Sequence, residues 1–194
     1  GRARGSPGRR SQFATLVPPA ARRLVARSSG TAGRSSGLGA PPADGARLGR
    51  FPQAPTVREL HRLSEHPEPW FFSSIDDVEQ LTGGRFDLIA PDGTCYLAES
   101  LEGCLVEKLL RGPTRIVVAE RLDELFHTTV RTTAPMRTAD LTAARASGFG
   151  VNAEIHSTLD PAMPRRWAIA LRAAEFRALR HALRADPAAT LRGR

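Results

Sequence analysis

The run from Gly83 to Leu110, GGRFDLIAPDGTCYLAESLEGCLVEKLL, constrains the chain most, because it commits turn, strand and helix in immediate succession. Asp92-Gly93 is a strong turn signal. Thr94 to Leu97 has the β-branched and aromatic character of a short strand, and that strand carries Tyr96. Ser100 then suits the cap of a helix whose apolar residues are Leu101, Cys104, Leu105, Val106, Leu109 and Leu110. At ~100° per residue these cover a wide arc, so the spacing predicts a helix buried on most sides. Glu107 falls in the gap of that arc, facing either solvent or a polar pocket.

The rest of the chain supplies strands and helices around this run. Val57 to Leu63 reads as a short helix or a strand, Arg115 to Glu120 and His127 to Thr133 read as strand segments, and Pro164 to Phe176 reads as a helix with Trp167, Ala168, Leu171 and Ala174 inward. Asp140 suits the cap of a helix over Leu141 to Ala146. Trp70-Phe71-Phe72 is the most aromatic point and reads as core. This order predicts a mixed α+β domain.

Charge separates the chain into two parts. The first fifty residues carry ten Arg against Asp44, which leaves the remainder at −1 of the total +8. That segment is rich in Gly, Ser, Pro and Ala, and Pro18-Pro19 interrupts its apolar stretch. Its composition predicts a disordered tail over 1–50 and a folded domain over 51–194. The near-neutral domain gives a nucleic-acid role no support beyond weak contacts through the basic tail.

Several chemistries lack their signatures. There is no P-loop, and no G-x-G-x-x-G in strand–helix context. His156 lies beside Ser157 without an acid at triad spacing, which disfavours a Ser-His hydrolase. Cys95 and Cys104 match no zinc or redox spacing and read as packed free thiols, so no metal is expected. No apolar run approaches the ~18 residues of a membrane span, and a reducing cytoplasmic setting is the default.

Gly-Gly-Arg-Phe-Asp at 83–87, Cys-Tyr-Leu-Ala at 95–98 and Cys-Leu-Val-Glu at 104–107 resemble, in order and spacing, the RES domain family. Weaker similarity runs from about Leu60 to Asp186. The resemblance implies an α+β fold related to ADP-ribosyltransferase toxins, with a bent, largely antiparallel sheet or split pair and flanking helices. It also implies cleavage of the nicotinamide–ribose bond of NAD+, by phosphorolysis in several members, as the toxin of a RES–Xre toxin–antitoxin pair. NAD+ is then substrate rather than bound cofactor, phosphate a co-substrate, and an Xre-type antitoxin a partner. By the same resemblance Glu107, Arg85 and Tyr96 are catalytic, while Arg62, Arg85, Tyr96 and Ser157 bind substrate. Arg suits such a task because its planar fork holds phosphate oxygens bidentately. The family's last strand is not supplied by Ala188 to Arg194. The alternative reading is a catalytically inactive RES-like domain that binds a partner.

Overall fold

Short β-prone runs build one sheet whose centre is set by a segment far from the rest in sequence. The computed structural model describes residues 12–17 (as backbone), 37–68, 70–109 and 120–182. Its strands are β1 (Gln12–Val17), β2 (Gln53–Ala54), β3 (Glu59–Ser64), β4 (Ser74–Ile75), β5 (Leu88–Ile89), β6 (Gly93–Ala98), β7 (Phe126–Arg131), β8 (Thr138–Asp140) and β9 (Ala178–Arg180). The helices are α1 (Gly45–Leu48), α2 (Leu101–Leu109), α3 (Glu120–Asp123), α4 (Glu154–Ser157) and α5 (Ala162–Ala173), with a 3-10 helix at Ala144–Phe149. Seven strands pair in the order β2-β8-β9-β1-β6-β3-β7, and β4 pairs with β5 apart from them.

The domain is α+β, but its sheet is mixed rather than largely antiparallel. β8, β9, β1 and β6 run parallel, while β2, β3 and β7 join antiparallel at the flanks. The reason lies in β1, which inserts between β6 and β9 and is parallel to both. Its run Phe13-Ala14-Thr15-Leu16-Val17 is almost continuously apolar, which suits a central parallel strand better than an edge. A parallel neighbour also requires a long crossover. Between β8 and β9 that crossover holds α4 and α5.

The expected disordered tail is therefore corrected in two places. β1 is one. The other is residues 37–50, which dock on the domain. Asp44 Oδ1 accepts from Ala46 N (2.9 Å) and Arg47 N (3.2 Å), capping α1. Leu48 is buried in the main core, and Trp167 Nε1 donates to Gly39 O at 2.9 Å. A short amphipathic turn with one large apolar residue offsets its ordering entropy by covering a core already present. The remainder of 1–50 lies outside the described residues, as do the strand expected near 117 and the segment 188–194.

Around Trp167 the core gathers Phe51, Phe86, Ile155, Leu171 and Phe176. Phe51 meets Trp167 and Phe176 with centroids 6.0 and 6.4 Å apart, in tilted and edge-on contacts. The inner face expected of α5 holds for Trp167, Ala168 and Leu171. A second cluster on β3, β6, β7 and β9 joins Leu60, Cys95, Leu97, Val130 and Ala178. Asp140 differs from expectation: it ends β8, and its Oδ1 accepts from Thr142 N (2.9 Å) and Thr142 Oγ1 (2.6 Å) in a local turn. Among the described residues, no helix is long and apolar enough to cross a membrane.

Candidate functional site

β3 and β6 share one ladder pair, His61↔Ala98. Continuing that antiparallel register would set Arg62 opposite Leu97 and Ser64 opposite Cys95. The strands separate instead. A cleft of about 310 Å³ opens there, lined by Arg62, Ser64, Tyr96 and Leu97 from the strands and by Glu107 and Lys108 from α2. Three of the residues singled out in the sequence, Arg62, Tyr96 and Glu107, thus come together from distant parts of the chain.

α2 carries Glu107 into place. Ser100 Oγ accepts from Gly103 N at 3.1 Å, and Ser100 O accepts from Cys104 N at 3.2 Å, which fixes the first turn. The helix is not buried on most sides: only Gly103 and Cys104 are buried, and Leu101 is exposed. Only one face of α2 therefore packs against the sheet. Lys108 Nζ lies 2.9 Å from Glu65 at the same cleft.

Arg62 is 8% exposed and forms part of the cleft wall from within. Its Nη1 donates to Phe71 O and contacts Cys95 Sγ, both at 2.8 Å. Burial raises the Cys95 thiol above its ordinary range, with Arg62 opposing it more weakly. Cys104 is pushed up to about 11, again mainly by burial, and its Sγ donates to His61 O at 3.1 Å. Both cysteines are buried free thiols, which makes them packing residues rather than nucleophiles.

Tyr96 is fixed by a network that the sequence did not disclose. Its Oη donates to Asp87 Oδ1 (2.8 Å) and accepts from Phe86 N (3.0 Å). Asp87 is fully buried and also accepts from Ser73 Oγ (2.8 Å) and Gly84 N (2.6 Å). A Cβ on Gly84 would sit 2.1 Å from Tyr96 Oη, so the loop approaches the phenol as only glycine permits. Behind it, the fully buried Arg165 donates to Gly84 O (3.1 Å), Val78 O (2.9 Å), Gln80 O (2.5 Å) and Thr82 O (2.6 Å). The 78–84 loop is thus held from two sides, by a guanidinium and by a carboxylate. Asp87 is part of the Gly-Gly-Arg-Phe-Asp run, but nothing in the run marks it as the partner of Tyr96. Arg165 left no sequence signal, since a charge at a helical inner position reads as a surface residue.

Two expected site residues are elsewhere. Arg85 is not among the cleft-lining residues. Its guanidinium donates to His156 O and to Thr158 O, the latter at 3.3 Å, joining the 83–87 loop to the end of α4. Ser157 is exposed, and its Oγ donates to Ala153 O at 3.4 Å within α4. Arg85 reaches α4 through its side chain and Ser157 lies on α4, and neither lines the cleft. His156 beside them is lowered to about 4, first by burial and then by the Arg85 charge. Two of the aromatic trio are a further correction, whereas Phe72 packs against the second core cluster. Trp70 and Phe71 are 49% and 44% exposed, and Phe71 lines the cleft. Pro67, a residue that breaks regular structure, lies just ahead of them in the chain.

The cleft is lined by carboxylates (Glu65, Glu107) and cations (Arg62, Lys108) together with Tyr96. Such a lining suits a ligand that carries both signs of charge. Among the described residues, no three or more His, Cys, Asp or Glu side chains gather as a metal site.

Comparison with family models matches the RES domain over residues 59–188, two thirds of the chain. The chain belongs to the RES domain family. Neither curated proteins nor solved structures gave a match. The RES domain match begins at the first residue of β3 and takes in the strands and the helix that frame the cleft. β1 and residues 37–50 precede it, so the fold draws on chain outside the matched span.

Proposed function

We propose that this RES domain degrades NAD+ by cleaving the nicotinamide–ribose bond, with phosphate as the acceptor, as the cytoplasmic toxin of a pair with an Xre-type antitoxin. The observation that carries the reading is the meeting of Glu107, Arg62 and Tyr96 on one cleft. In the reaction the bond from ribose C1′ to the pyridinium nitrogen breaks, and its electron pair neutralises the nicotinamide. A new C1′–O bond forms to a phosphate oxygen. Positive charge develops on the sugar as the first bond lengthens. The Glu107 carboxylate is the group suited to stabilise it, and preorganised electrostatics of this kind are worth ~100- to 1000-fold in rate. Arg62 would face the anionic diphosphate, and the Tyr96 ring would pack against nicotinamide or ribose. The Tyr96 hydroxyl is already committed to Asp87, so the phenol serves by shape rather than as a proton donor.

The test is product analysis by mass spectrometry after incubation with NAD+, with and without inorganic phosphate. Nicotinamide with ADP-ribose phosphate, formed faster as phosphate rises, supports phosphorolysis. Nicotinamide with ADP-ribose assigns water as acceptor. Intact NAD+ removes the enzymatic reading and leaves an inactive partner-binding domain. The positions of Arg85 and Ser157 outside the cleft favour that second reading.

A further inference from the structure

We infer that the Phe71 ring is a stacking surface for the adenine base of the dinucleotide, an inference that rests on reading the cleft as an NAD+ site. Three observations lead there. The first is size. At about 310 Å³ the cleft is at the low end of the ~300–1,000 Å³ of small-molecule sites. NAD+ consists of two nucleotides. With the nicotinamide half inside against Glu107, the adenosine half must lie over the rim.

The second is the chemistry of that rim. Phe71 lines the cleft and is 44% exposed, and its neighbour Trp70 is 49% exposed. The exposed part of the Phe71 ring, beside the His66 ring that stacks on it, offers π surface to a planar base. Every base can use such a face, and its stacking is sequence-tolerant.

The third is that the ring is held where it is. His66 stacks on it with centroids 4.6 Å apart and planes at 24°. The Arg62 guanidinium lies 5.9 Å from the ring centroid, and its Nη1 anchors the Phe71 carbonyl at 2.8 Å. The residue proposed to face the diphosphate therefore also sets the main chain of the proposed base platform. In NAD+ only a ribose separates adenine from the diphosphate, so one guanidinium near both places matches the ligand's own order. A ring prevented from folding into the core loses little freedom when a base settles on it, which favours binding.

The test compares NAD+ with nicotinamide mononucleotide, which has the same scissile bond but no adenosine half, in the full chain and in Phe71→Leu and Phe71→Tyr. Leu keeps apolar volume and leaves the Phe71 carbonyl to Arg62, but removes the π face. AMP affinity is measured alongside by calorimetry, since AMP has no bond to cleave. Stacking by one base predicts that Phe71→Leu narrows the kcat/KM preference for NAD+ over the mononucleotide on the order of tenfold. AMP binding should weaken by a similar factor, and Phe71→Tyr should retain both. An equal loss on the two substrates, an unchanged preference, or AMP affinity equal in the full chain and Phe71→Leu would overturn the inference. Weakened AMP binding in a protein that cleaves neither substrate would sustain the stacking surface while removing the NAD+-degrading activity.

Discussion

Replacing Gly84 by Ala tests how the loop and the cleft floor are joined. The added Cβ would sit 2.1 Å from Tyr96 Oη, 2.6 Å from Asp87 Oδ1 and 2.7 Å from Tyr96 Cζ. None of these is the free end of a flexible chain, because Tyr96 and Asp87 hold each other. Overpacking of this kind costs about 1–3 kcal/mol. Moving the phenol aside also breaks its bond to the buried Asp87, and bonds to charged groups are worth about 1.5–3 kcal/mol. The expected loss for Gly84→Ala is therefore about 2.5–6 kcal/mol, large beside the ~5–15 kcal/mol total stability of a domain. Tyr96→Phe alone should cost about 1.5–3 kcal/mol through the lost bond. The two share one hydroxyl, so the double variant should cost about 2 kcal/mol less than the sum of the singles. Urea denaturation of the four proteins measures this directly. Additive costs, within about 0.5 kcal/mol, would show that the loop does not approach Tyr96 as described.

Three further outcomes follow from the site and its surroundings. His156 is held near 4 against an ordinary 6.5, so the unfolded chain binds more protons between those values; its contribution is whole above pH 6.5 and lost as pH falls through 4. That amounts to at most about 3 kcal/mol, and His156→Asn should flatten urea stability between pH 6.5 and 4. Arg165→Met would leave the carbonyls of Val78, Gln80, Thr82 and Gly84 without their donor, lowering stability by about 3 kcal/mol or more in the same assay. Arg85→Met should lower the melting temperature more than it changes KM for NAD+, because Arg85 joins the 83–87 loop to α4; a large KM effect in a protein of unchanged stability would return it to the substrate site.

Local patterns carried much of the fold. The turn–strand–helix run became β6 and α2, and the segments near 60 and 130 became β3 and β7. Periodicity places α5 because Trp167, Ala168 and Leu171 recur on one face. What stayed hidden depends on contacts distant in sequence. β1 is six residues in an Arg-, Gly- and Pro-rich stretch, and composition averaged over fifty residues hides six that pair with β6 and β9. Trp70 and Phe71 look like core because aromatic area usually is, yet the place of Phe71 is fixed by Arg62 and His66 rather than by hydropathy. Of the site, Glu107, Tyr96 and Arg62 were legible through their spacing in the family pattern. Arg85 was misplaced for a simple reason: a motif gives order along the chain, whereas the direction of a guanidinium is set by the carbonyls it finds.

The most direct measurement of the central claim is nicotinamide release from NAD+ by the full chain and by Glu107→Gln. Gln keeps the size and most of the hydrogen bonding of Glu107 and removes its charge. The account predicts release by the full chain and a rate lower on the order of 100-fold or more in the variant, with NAD+ binding retained. Equal rates in the two proteins would contradict it and place the chemistry on another group.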